Sequence, residues 1–143
     1  RFIAHVINQF GWNPVPMIEG QHLGLWQRGS DLFAIPEAFT NRFAGLPYAG
    51  LGMLWGDLGE GGFIPSHELV ARFGLDFTRA LVCLPEDGVQ TWLAGGDCFD
   101  LSGISVGAGN LVAVTDRLGR NLGRGKVLRD RVKNLLPRRL VLA

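Results

Sequence analysis

At 143 residues the chain is long enough for one ordinary domain or two small ones sharing a core. Its 47% apolar and 19% charged residues exclude a disordered polar chain, and no run of about 18 apolar residues offers a membrane-spanning helix. The net charge of +1 hides an asymmetry: residues 1–115 carry five arginines against eleven carboxylates, a net −6, whereas residues 116–143 carry nine basic residues against two acids, a net +7.

The opening residues 2–10 read as a short helix. Pro14 and Pro16 then predict an extended stretch, because proline fixes φ and restricts its predecessor. Short apolar runs at 23–26 and 31–35 flank Gln27-Arg28-Gly29-Ser30, the pattern of a β-hairpin with a polar four-residue connection. Pro36 ends it, and residues 37–43 are expected to form a helical turn. A strand over 50–58 follows, then the turn Gly59-Glu60-Gly61-Gly62 and renewed extension at Phe63-Ile64. Pro65-Ser66 opens a helix with Ser66 as its cap, Glu68 at the positive end of the dipole, and Gly74 as its stop.

Further helices are predicted over 76–84 and 86–93, the latter closed by Gly95-Gly96. Strand-like segments follow at 104–106, 111–115 and 122–128, with a turn at 116–119. Beyond Pro137, a final strand is expected at Leu140-Val141-Leu142. These elements give an α+β fold, divided into a small α+β unit at 1–74 and a helical connection leading to a compact β unit at 75–143.

Catalytic motifs are few. Cys83 and Cys98 form no Cys-x-x-Cys pair and His5, His22 and His67 are scattered, so neither a zinc site nor a disulfide framework is expected. Such cysteine usage suits a reduced, intracellular, cytoplasmic setting. The stretch from Gly119 to Lys126 resembles a phosphate loop but has Arg120 where the second glycine belongs and Val127 in place of Ser or Thr. Its glycines instead predict a bent strand or a close backbone approach. Trp26, Trp55 and Trp92 sit in apolar periodic segments and are expected in the core, while Trp12 stays open. With no complete nucleophile–base pair or metal constellation, this chain is not expected to be an enzyme by itself. Opening on Arg1 without a signal-like segment, it reads as a fragment of a longer protein.

The basic tract carries the functional expectation. Arg120, Arg124, Lys126, Arg129, Arg131, Lys133, Arg138 and Arg139 are candidate phosphate contacts, since a guanidinium donates two parallel hydrogen bonds to a phosphate. Asn134 is a further candidate, for a base edge or ribose hydroxyl, or else a residue that shapes the turn. A merely solvated basic face is the alternative.

At these residues a family resemblance emerges. Leu122-Gly123-Arg124-Gly125-Lys126 followed by Val132-Lys133-Asn134-Leu135-Leu136-Pro137-Arg138 resembles the C-terminal PUA-like domain of RsmF-type ribosomal RNA cytosine-5 methyltransferases. Upstream, Asp31 to Pro36, Ala49-Gly50-Leu51, and Gly62 to Leu69 are similar, in the same order, to the small domain preceding it in that family. Together the segments cover about residues 25–140. Arg139, standing where a small residue is expected, and the unmatched first 20 residues depart from the pattern.

The resemblance implies a PUA-like β pseudo-barrel in the second unit, ribosomal RNA as partner, and S-adenosylmethionine as cofactor of the intact protein. The family's catalytic cysteines stand in Pro-Cys motifs of an upstream domain, whereas Cys83 lies in Val-Cys-Leu and Cys98 in Asp-Cys-Phe. The expectation is therefore an RNA-binding module without its catalytic domain. In the alternative, the basic tail docks on that upstream domain or on another protein partner.

Overall fold

A computed structural model describes residues 1–38 and 52–142. Contacts within the chain group residues 1–69 into one compact unit and 70–143 into another.

The first unit opens with helix α1 (Phe2–Phe10), which buries Phe2, Val6 and Phe10, four residues apart on one face. Gly11, with φ 62°, closes it by donating its N–H to the Ile7 carbonyl at 2.9 Å. The extended stretch expected around Pro14 and Pro16 is instead helix α2 (Val15–Gly20). Both prolines lie at its start, where the missing N–H has no intrahelical partner to lose and the fixed φ already suits a helix.

Four strands follow: β1 (Leu23–Arg28), β2 (Asp31–Pro36), β3 (Met53–Gly59) and β4 (Gly62–Pro65), paired antiparallel in that order. The first hairpin is tighter than expected, with Arg28 opposite Asp31 and only Gly29-Ser30 between them. The expected strand over 50–58 begins at Met53, its first two positions falling outside the described residues. From residue 39 onward, the helical turn expected at 37–43 also lies outside them. Phe2, Trp12, Trp55 and Phe63 form the aromatic centre; the Phe2 and Phe63 rings meet edge-on at 4.8 Å. Trp12 therefore belongs to the core, whereas Trp26, expected there, is 41% exposed on the edge strand.

Ser66 caps helix α3 (His67–Phe73) as expected, its Oγ accepting the Leu69 N–H at 3.1 Å and donating to the Leu54 carbonyl at 2.7 Å.

In the second unit the helix predicted over 76–84 is wrong: β5 (Leu81–Leu84) is a strand whose residues alternate exposed and buried. It runs parallel to β6 (Leu111–Asp116), and that pairing overrides the ambiguous period of a short apolar run. Helix α4 (Glu86–Leu93) forms as expected. Strands β7 (Asn121–Val127) and β8 (Val132–Asn134) complete an antiparallel β6-β7-β8 array, which Cys98 extends by bridging Val132. Neither residues 104–106 nor residues 140–142 form a strand; Arg138–Leu140 is a 3-10 turn. Pro137 has no N–H to give a sheet, so the chain turns there.

The fold is thus mixed α+β with two four-stranded sheets, and no closed barrel is present among the described residues. The second sheet is nonetheless curled. Leu81, Val82 and Cys83 on one edge line a cleft of about 320 Å³ together with Cys98, Asp100 and Ser102 beyond the other. Its concave side buries Val82, Leu84, Val112, Val114, Val127 and Val132 around Trp92, whose indole N–H donates to the Leu122 carbonyl at 2.9 Å. Gly125 permits this packing: a Cβ there would stand 2.6 Å from Val132 Cγ1 and 3.0 Å from the Trp92 ring.

Candidate functional site

The basic tract runs through the β6–β7 turn, β7, the β7–β8 turn, β8 and the 3-10 turn after it. Arg120 and Arg131 are paired with carboxylates inside the chain. Asp116, only 5% exposed, ends β6; its Oδ1 accepts the backbone N–H groups of Leu118 (3.0 Å) and Arg120 (2.9 Å), and its Oδ2 accepts Arg120 Nε at 2.5 Å. The Arg120 backbone N–H foremost, helped by its guanidinium, holds this carboxyl below the ordinary carboxylate range despite burial. Arg120 thus secures a turn. Arg131 reaches Asp97 at 3.3 Å and Asp130 at 3.5 Å, and lies 5.7 Å from the Phe99 ring centre.

Asn134 is likewise engaged internally. Its Nδ2 donates to the carbonyls of Trp92 (2.7 Å) and Gly96 (2.9 Å), its Oδ1 accepts the Leu136 N–H (2.8 Å), and its backbone N–H donates to Asp97 Oδ1 (2.8 Å). Both amide donors are consumed within the chain, and the Oδ1 bond to Leu136 shapes the turn there. It ties β8 to the end of α4.

Asp97 is the residue that sequence reasoning missed. One carboxylate holds both Arg131 and the Asn134 backbone, so it orients the whole basic segment. The only signal for it was its place directly after Gly95-Gly96.

The remaining cations are differently placed. Lys126 and Lys133 are directly opposite in the β7–β8 register, both exposed on the convex face. Lys126 faces Leu111 on its other side, and Arg124, two residues back along β7, shares the same face half-buried. Arg129 projects from the adjoining turn. Among the described residues, no side-chain hydrogen bond or ion pair neutralises Lys126, Arg129, Lys133 or Arg138. Arg124 and Arg139 each have an interaction within the chain. Like charges directly opposite on a sheet repel. Two lysines in register, with no carboxylate at the adjoining register positions, make a surface suited to an external anion.

No group of three or more His, Cys, Asp or Glu side chains is placed to hold a metal among the described residues, and no helix there is long and apolar enough to cross a membrane.

No protein-family model matches the chain. Among curated proteins it is similar to the ribosomal RNA small subunit methyltransferase F of Pectobacterium carotovorum subsp. carotovorum, 28% identical over 124 residues and 83% of this chain. The protein of the same name from Psychromonas ingrahamii is 30% identical over 121 residues, and that from Vibrio vulnificus 23% over 117, each covering 82% of the chain. The chain spans about a quarter (24%) of the length of each relative, and so matches a region of the methyltransferase RsmF.

Proposed function

We propose that this chain is the RNA-contacting region of an S-adenosylmethionine-dependent ribosomal RNA (cytosine-5) methyltransferase, holding structured ribosomal RNA for a catalytic domain carried elsewhere in the parent. The observation that carries the proposal is the exposed Lys126–Lys133 pair, in register on one sheet face, with Arg129 at the adjoining turn and no neutralising partner among the described residues. Phosphate contacts of this kind supply affinity and fix register without reading sequence. The names of the relatives support ribosomal RNA as the target. The curled second sheet, whose two edges flank one cleft, supports a PUA-like pseudo-barrel. A cytoplasmic setting follows from the same reading.

The methyl-transfer chemistry belongs, in this proposal, to the rest of the parent. Cys83 and Cys98 share a cleft with Asp100 and Ser102, but neither stands in a Pro-Cys motif, and among the described residues no glycine-rich strand-to-helix turn accompanies them to cradle the cofactor. No residue here is assigned to S-adenosylmethionine. Within the tract, Lys126, Arg129, Lys133 and Arg138 are the principal contacts, with Arg124 behind them. Arg120, Arg131 and Asn134 act through the framework they hold.

The test is binding of the chain to small-subunit ribosomal RNA fragments at low ionic strength. Joint replacement of Lys126 and Lys133 by Ala should weaken binding at least tenfold across sequences without unfolding the chain. Unchanged affinity would move the contact surface elsewhere.

A second reading, docking on a protein, is favoured for residues 1–69 by one observation. Trp26, Phe33 and Leu54 are cross-strand neighbours, and Trp26 and Leu54 are large exposed side chains on one sheet face. Competition between RNA and the parent's catalytic domain for the basic tract would extend that reading to residues 116–143.

A further inference from the structure

Beside the exit of β8, the turn after α4 and the residues following Pro137 enclose an open cleft of about 460 Å³, lined by Gly95, Asn134, Leu136, Arg138, Val141 and Leu142. We infer that this cleft receives a single unstacked nucleotide of the bound RNA, its base between the aliphatic walls and its phosphate on Arg138. The inference rests on the RNA-contacting role proposed above and assigns a site within it.

Four features point to that ligand. The volume lies within the roughly 300–1,000 Å³ of small-ligand sites. Its walls are apolar on one side, with Leu142 left 60% exposed, the surface an unstacked base would cover. Its one charged group is Arg138, exposed and without a side-chain ion pair or hydrogen bond among the described residues; no carboxylate lines the cleft. A guanidinium with no carboxylate among the lining residues suits an external phosphate. Finally, the floor is fixed. The Leu142 N–H donates to the Leu93 carbonyl at 2.8 Å, and Gly95, at φ +94°, leaves room that a Cβ would take from Val141 at 3.1 Å.

Asn134 gains a second task in this arrangement. Its amide donors are spent on Trp92 and Gly96, but Oδ1, which accepts from Leu136, keeps a second lone pair on a residue that lines the cleft. That lone pair can accept an N–H from a base edge. The oxygen is held in place by the donors opposite it.

The experiment compares two RNA probes on this chain at one low salt concentration: a 20-base-pair RNA duplex, and the same duplex with one bulged adenosine. The bulged duplex should bind about tenfold more tightly, a difference of about 1.4 kcal/mol. Arg138→Ala and, separately, Val141→Phe, which fills the cleft, should each bring the bulged-to-plain affinity ratio close to 1. Lys126→Ala should weaken both probes and keep the ratio. Equal binding of the two probes by the unaltered chain overturns the nucleotide site while leaving the RNA-contacting role standing. A ratio that survives both Arg138→Ala and Val141→Phe overturns it as well. Failure to bind either probe overturns both readings.

Discussion

Replacing Lys133 by Glu should make the chain more stable and worse at binding RNA. Lys133 stands directly opposite Lys126 on neighbouring strands, and both side chains are exposed. A like-charge pair in such a position costs, and an opposite-charge pair gains, roughly 0.2–1 kcal/mol. Exchanging one for the other should therefore stabilise the chain by about 0.5–1.5 kcal/mol at low salt, and less at 1 M salt, where the screening length falls to about 3 Å. With a urea dependence of about 1–3 kcal/mol per molar, the unfolding midpoint should rise by about 0.5 M. In RNA binding the same change removes one phosphate contact and sets a carboxylate beside the backbone. Affinity should drop at least tenfold, and the dependence of log K on log salt should become shallower by about 1. Urea unfolding followed by tryptophan fluorescence, paired with filter binding at several salt concentrations, reads both effects. A lower midpoint, or an unchanged RNA affinity, would refute the reasoning that this lysine pair is kept for an anion.

Other residues give independent checks. Asp97→Ala removes the acceptor of the Asn134 N–H at 2.8 Å and the partner of Arg131 at 3.3 Å, so it should cost about 2–3 kcal/mol in urea unfolding; a loss under 0.5 kcal/mol would deny Asp97 its organising role. Gly125→Ala forces a Cβ to within 2.6 Å of Val132 and should destabilise by about 1–3 kcal/mol, whereas a neutral result would mean that the Trp92 packing is looser than described. Asp116 has its carboxyl held below the ordinary value of 3.8, so it stabilises the folded chain above that value, and the contribution is lost as pH falls through the lower folded value. Asp116→Asn should flatten the acid limb of the stability–pH profile below about pH 4; superimposable limbs would contradict this.

Much of the fold was legible because local chemistry and tertiary packing agreed. The 23–36 hairpin announced itself by two apolar runs around Gly29, and α3 by Ser66 followed by an apolar stripe. The failures share a cause. Residues 81–84 are four apolar residues ending at Pro85, too short to distinguish a strand from a helix until β6 is available as a parallel partner. Residues 104–106 are β-branched enough to look like a strand, but find no partner in the described sheets. Pro14 and Pro16 predict an extended stretch, yet they stand at a helix start.

The candidate site shows a similar split. Charge alone identified the tract, yet could not rank its members. Arg120 is set apart from Lys126 and Lys133 by Asp116, four residues away, and Arg131 by Asp97, 34 residues away, together with Asp130 and Phe99. The pairing of Arg131 with Asp97, 34 residues apart, leaves no trace in a local pattern. The like-charge register of β7 and β8 likewise depends on the turn between them.

The most direct test of the central claim is the salt dependence of RNA binding by this chain. With Lys126, Arg129, Lys133 and Arg138 on phosphates, log K against log salt should fall with a slope of about −3 to −4. A slope between zero and about −1, or no binding at low ionic strength, would contradict the assignment of this surface to the RNA backbone.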